Sequence, residues 1–200
     1  MNKYLFSLVV FLLCLSCLQA QEKSPKREFR GVWVSTINNI DFPSSPHLSL
    51  QEQQAEFIKL LDNYQKIGIN AVIVQVRPVA DAFYKSPFEP WSYWLTGAQG
   101  KSPRYDPLEF MIEQCHRRAM EFHAWVNPFR AANSSKIQLA PQHIIKKHPE
   151  WIVQYGSQKI LNLGLPEVRD SVQLIIADIT KRYDIDALHF DDYFYPYPQE

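Results

Sequence analysis

Four short apolar runs, separated by stretches with helical periodicity, leave this chain few folds to choose from. They are Phe29 to Ile37, Asn70 to Val76, Phe122 to Asn127 and Ile185 to Asp191. The second, N-A-V-I-V-Q-V, is apolar almost throughout, as a strand covered on both faces must be. Ser49-Leu50-Gln51-Glu52 is a capping box, and the helix it opens carries Phe57, Ile58, Leu61, Tyr64 and Ile67 until Gly68 ends it. Asp106-Pro107 caps a second helix, with Glu109 completing the box and Leu108, Met111, Ile112, Cys115 and Ala119 as its buried stripe. Pro166 opens a third through Val172, Ile175, Ile176, Ile179 and Tyr183. The order β-α-β-α-β-α-β predicts a parallel sheet with right-handed crossovers.

The connections narrow the choice. No glycine-rich phosphate loop follows any of the strands, which counts against a nucleotide-binding sheet. Arg77 to Tyr105 has four prolines, no clear period, and the rings of Phe83, Tyr84, Phe88, Trp91, Tyr93, Trp94 and Tyr105. Disordered segments are poor in aromatics, so this reads as a functional loop. Pro128 to Leu165 is a second long connection, with a short helix expected at Pro141 to Lys147 and a small strand at Trp151 to Tyr155. Long loops after strands two, three and four fall at the C-terminal ends of strands, the functional face of a (β/α)₈ TIM barrel. Such a barrel takes about 250 residues, so the α/β fold expected is a TIM barrel of which this chain holds about the first four βα units. The domain reading is residues 1–20 a signal peptide, 21–28 a short linker and 29–200 the N-terminal half of the barrel domain. A half-barrel expressed alone is expected to aggregate, pair through its open edges or stay partly molten.

Lys3 followed by the apolar run Tyr4 to Leu18 has the layout of a secretory signal and is too short to span a bilayer. Cleavage after Ala20 is one reading. Membrane attachment through a lipidated Cys17 is another, although Cys14-Leu15-Ser16 lacks the usual leucine; an uncleaved anchor is a third. All three export the body of the protein, to the periplasm, the outer membrane or the exterior. Beyond the signal only Cys115 remains, on a helix stripe, so it reads as a core thiol. With 21 Lys plus Arg against 21 Asp plus Glu, no charge excess supports a nucleic-acid or polybasic membrane binder.

The chemistry gathers where the fourth strand gives out, in I-D-A-L-H-F-D-D-Y-F-Y-P-Y. Period-two alternation puts Asp191 with His189, and Leu188, Phe190 and Asp192 on the other face. The apolar pair belongs against helices, so His189 and Asp191 are expected to point into the barrel. Asp191 is the first choice for a catalytic carboxylate; Asp192 holds a sugar hydroxyl or orients a neighbour. The bland alternative caps a helix or pairs an arginine with either. Flanking aromatics such as Tyr193 suit the flat faces of sugars. On the other strands Gly31, Trp33 and Ser35 share a phase, as do Gln75 and Arg77, and His123, Trp125 and Asn127. Strand-end Gln75, Arg77 and Asn127 are candidate substrate-binding groups, with a structural ion pair the alternative for Arg77 and a turn for Asn127. His123, deeper in its strand, reads as a satisfied core histidine. Trp91 and Trp94, with Tyr93, are either a stacking wall of the cleft or pins that hold the loop down. His143 and His148 are five apart and do not form a zinc pair, and there is no G-x-S-x-G elbow, so no metal or cofactor is expected.

Taken together, E-F-R-G-V-W-V-S-T (Glu28 to Thr36), V-Q-V-R-P-V-A-D-A-F-Y (Val74 to Tyr84), H-A-W-V-N-P-F-R (His123 to Arg130), L-P-E-V-R-D (Leu165 to Asp170) and H-F-D-D-Y-F-Y-P-Y (His189 to Tyr197) resemble the glycosyl-hydrolase-like family 10. The resemblance implies exported bacterial proteins, often lipoproteins, with a TIM-barrel glycoside hydrolase fold and a bacterial cell-wall or related polysaccharide as partner. D-A-L-H-F-D is also similar to the fourth strand of α-amylase-type barrels, where a carboxylate two residues after a basic one is the nucleophile, and that position is Asp191. Ala187 where glycine is usual, and Leu163 where proline is usual, are the departures. The activity implied is O-glycosyl hydrolysis by two carboxylates, the second expected beyond Glu200. The alternative is a non-catalytic exported glycan-binding protein on the same fold.

Overall fold

The computed structural model describes residues 28–132 and 137–190. Within it the four apolar runs form one parallel sheet of β1 (Gly31–Val34), β2 (Ala71–Arg77), β3 (Glu121–Val126) and β7 (Ala187–His189), in that order. The helices between them are α1 (Leu50–Lys66), α3 (Pro107–His116) and α5 (Pro166–Arg182). The capping box of α1 forms as expected: Ser49 Oγ accepts from Glu52 N at 3.3 Å, and Ser49 N donates to Glu52 Oε2 at 2.7 Å.

Alternation sorts the strands into two faces. Val34, Val72, Val74, Val76, Phe122, Ala124 and Val126 pack with Phe57 and Leu61 of α1, with Leu108, Met111 and Cys115 of α3, and with Ile175 and Ile179 of α5. Leu188 joins this core. The Cys115 thiol is buried there and pushed up to about 12 by desolvation, so it is an inert core group. The opposite, inner face carries Gly31, Trp33, Ile73, Gln75, His123, Trp125, Ala187 and His189, paired across strands as Trp33 with Ile73, Ile73 with His123, and Trp125 with His189. Helices on one face of a parallel sheet and a second face lined by side chains make this part of an α/β barrel. His123 sits at the start of that face against Phe29, ring centroids 5.5 Å apart, and bonds Glu121.

Three details differ from expectation. Helix α3 stops at His116, and Ala119 is exposed with φ 54; Met120 is the buried residue. The Arg77 to Tyr105 loop contains a short helix, α2 (Tyr93–Thr96), and a bridge between Ala82 and Trp91. After β3 the chain makes an excursion with its own antiparallel sheet, β4 (Arg130–Ala132), β6 (Gln158–Leu161) and β5 (Ile152–Tyr155), in which only the last strand was expected. The excursion also holds α4 (Ile144–Lys147), shorter than its expected span. Its apolar residues, among them Ala131 and Leu161, pack on Val168 and Val172 of α5. Three-residue β4 is too short to show a period-two signal.

Candidate functional site

The start of β7 is set in place by Asp186. Its Oδ2 accepts from Phe122 N at 2.7 Å and bonds His116 Nε2 at 2.8 Å, and its own amide donates to Phe122 O. Partial burial works against the charge, but these partners hold the carboxyl below its ordinary range. So anchored, β7 runs beside β3 and brings His189 next to Trp125. The His189 ring centroid lies 5.7 Å from that of Trp33 and 6.3 Å from that of Trp125, and the two indoles are 6.4 Å apart. Trp33 is 55% exposed, and His189 Nε2 is buried with no hydrogen-bond partner among the described residues. The result is an aromatic platform with one unspent imidazole nitrogen on the inner face. Flat rings of this kind suit the apolar faces of sugars. His189 was expected here, whereas Trp33 and Trp125 were given only a phase within their strands and were not named as site residues.

The catalytic candidates Asp191 and Asp192, and Tyr193 with them, lie outside the described residues.

Other nominated residues have different work. Gln75 is 1% exposed, and its Oε1 accepts from Thr36 N at 3.2 Å and Ile37 N at 3.0 Å. It caps the turn after β1 and is not a sugar ligand. Arg77, also 1% exposed, forks onto Glu89, with Nε to Oε2 at 2.8 Å and Nη2 to Oε1 at 2.5 Å, and donates to Asn127 O. The structural ion pair is therefore its role. The side chain of Asn127 is 2% exposed, and its Oδ1 accepts from Phe129 N and Arg130 N at 3.2 and 2.9 Å, so it holds the turn after β3. In each case a polar group ending an apolar strand is satisfied by the adjoining loop, because an unpaired buried group would cost more. Neither Glu89, distant in sequence from its partner, nor the Thr36 amide is signalled by any local pattern.

Trp91 and Trp94 are partly buried against the main core, so pinning the loop is part of what they do. Trp94 O accepts from Asn39 Nδ2 at 2.9 Å, and Tyr93 meets Trp94 edge-on at 5.0 Å between centroids. Trp94 also lines a cavity of about 20 Å³ with Asn38, Val79, Gln99, Ala131 and Leu139. That space, large enough for one water, marks where the loops after β1, β2 and β3 converge. A larger groove of about 1020 Å³ runs along α3 past Glu109, Glu113, His116 and Arg182. It lies in the helical layer and not on the inner face, so it is not the site.

One buried group had no place in the sequence reading. Asp81, in the apolar run V-A-D-A-F, is fully buried, and burial pushes its carboxyl up to about 7. A charged residue inside such a run was the available signal.

Comparison with known proteins agrees with this geometry. The family model described as glycosyl hydrolase-like 10 matches residues 28–200. The glycosyl hydrolase YngK of Bacillus subtilis is 49% identical over 98% of this chain and 39% of its own length. The glycosyl hydrolase DigH of Escherichia coli K12 is 36% identical over 88% of this chain and 44% of its own. The chain thus spans less than half the length of either relative. Among solved structures, the maltogenic α-amylase AmyB of Thermotoga neapolitana superposes with a TM-score of 0.53 over 84% of this chain and 40% of that one, at 14% identity. That likeness concerns the fold.

Proposed function

The chain belongs to the glycosyl hydrolase-like 10 family, and from that membership we propose that the protein of which it is part is an O-glycosyl hydrolase acting on a bacterial cell-wall or related polysaccharide. The observation that carries this reading is the platform of Trp33, Trp125 and His189 at the end of β7. Two residues further along the sequence stands Asp191, at the spacing that assigns it to the same face as His189. Asp191 serves as the carboxylate that attacks or activates at the anomeric centre, and Asp192 and Tyr193 hold the sugar beside it. A second carboxylate from the same barrel face completes the pair that glycoside hydrolysis requires. The printed names of the two relatives, both glycosyl hydrolases, support the activity class. The leader of residues 1–20, cleaved or lipidated at Cys17, would deliver the enzyme to its substrate outside the cytoplasm.

The test is Asp191→Asn in the full-length protein, assayed by release of reducing ends from purified cell-wall glycan strands. Turnover is expected to fall by at least about 10³-fold, with the strands still bound and the thermal midpoint unchanged. Turnover equal to that of the wild type would remove Asp191 from the mechanism. Glycan binding without turnover in the wild type itself would favour a non-catalytic glycan-binding protein.

A further inference from the structure

The three residues Val79, Ala80 and Asp81 receive both of the loops that flank the inner face. Val79 O bonds His143 Nε2 at 3.1 Å; because His143 Nδ1 accepts from Ile145 N, the ε nitrogen carries the proton and donates. Ala80 takes φ 53, a left-handed conformation that a residue with a Cβ adopts at a cost. Asp81 Oδ2 accepts from Gln99 Nε2 at 3.1 Å and from Tyr93 N at 3.4 Å. Gln99 Oε1 in turn accepts from Ala140 N at 3.0 Å. A single carboxyl therefore ties down the segment that carries Trp91, Tyr93 and Trp94, and through Gln99 it reaches the excursion after β3. Its other oxygen, Oδ1, is buried without a partner.

An asparagine would offer the same acceptor without a charge to bury, so the acid calls for an explanation. We propose that Asp81 is the positioning residue of the glycan cleft, holding the aromatic segment 91–99 and the loop behind it in the arrangement that binds sugar. This rests on the glycosidase reading above. It also makes the arrangement respond to pH. The charged groups that face Asp81 are Glu89, whose charge opposes its ionisation, and Arg77, whose guanidinium is engaged by Glu89; Tyr84 lies beside them, and His143, on the excursion, has its charged form disfavoured by burial. No salt bridge among the described residues offers Asp81 a cation. Docked, the carboxyl titrates at about 7; undocked and hydrated, it returns toward its ordinary value of 3.8. The raised value means that docking is strongest below about pH 4, weakens as pH rises toward 7 and is level above that.

The experiment uses the full-length protein labelled with 5-fluorotryptophan, with the fluorine signals of Trp91 and Trp94 followed from pH 4 to 9. In the wild type these signals should titrate with a midpoint near pH 7. In Asp81→Asn they should hold still. In Gln99→Ala, which loses a bond that favours the charged carboxyl, the midpoint should move upward. Affinity for purified glycan strands, expressed as wild type over Asp81→Asn, should fall between pH 4 and 7, by at most about tenfold per pH unit for one linked proton. Titration of the two indoles that survives unchanged in Asp81→Asn, or no response to either substitution, would overturn the proposal. Should Asp81→Asn not fold, the direction of the Gln99→Ala shift decides. A wild type that binds no glycan strand would refute the glycosidase reading, while the fluorine titration still decides whether Asp81 anchors the segment.

Discussion

Arg77 shares its charge with Glu89 where neither side chain meets much water, at 1% and 5% exposure. Two ions are held in such a place only while each satisfies the other. Their net worth against an apolar pair is small, but removing one partner strands a buried charge. Glu89→Ala is therefore expected to lower the unfolding free energy by about 3–5 kcal/mol, measured by urea denaturation of the full-length protein. The double replacement of Arg77 and Glu89 by methionine should recover most of that loss. If Arg77 instead faced a sugar, Glu89→Ala would change glycan affinity and leave stability nearly alone. The same logic applies to the oxygens of Gln75 and Asn127. From the sequence, a polar residue at a strand end is equally compatible with a ligand and with an adjoining loop. Here the loops supply the amides of Thr36, Ile37, Phe129 and Arg130, which the side-chain oxygens of Gln75 and Asn127 accept.

Among the elements, the first two long helices have side-chain N-caps, and the third starts on a proline after the uncapped Leu165. Ser49 and Asp106 both accept from backbone amides of the turn that they start, and Pro107 and Pro166 occupy first helical positions. The end of α3 departs from the capping rules. Arg118 N and Met120 N both return to Cys115 O, and Ala119 between them takes φ 54, where glycine has no Cβ to clash. Ala119→Gly is accordingly expected to stabilise the protein by about 1 kcal/mol, visible as a higher thermal midpoint with unchanged far-ultraviolet dichroism. A lower midpoint would mean that the extra chain entropy of glycine in the unfolded state outweighs the relieved strain. Read from the sequence, Ala119 continues the apolar stripe; the turn that ends the helix one step earlier is set by β3, whose first residue must reach Asn70 O across the sheet.

At the scale of the whole molecule, the described residues close the helix side of the sheet and leave the inner side open. Phe29 and Trp33 remain 60% and 55% exposed, and β1 and β7 are the outer strands of the sheet. The 200-residue chain expressed alone should therefore bind the dye ANS and self-associate, and Trp33→Ser should weaken both. A monomer with a sharp thermal transition and no dye binding would refute this. Period and caps were enough to determine the βαβ order, the strand phases and the two faces of the sheet, since each follows from which side chains a helix or strand turns the same way. Those phases grouped residues within each strand, and the register of the sheet then brought Trp33, Trp125 and His189 together on one face. Which polar groups on that face are free and which are spent was decided only in three dimensions. Glu89 lies 12 residues from Arg77, Gln99 18 from Asp81 and Ala140 41 from Gln99. No local pattern pairs such residues; the need to satisfy each buried charge and amide, once the loops fold over the sheet, selects the partner.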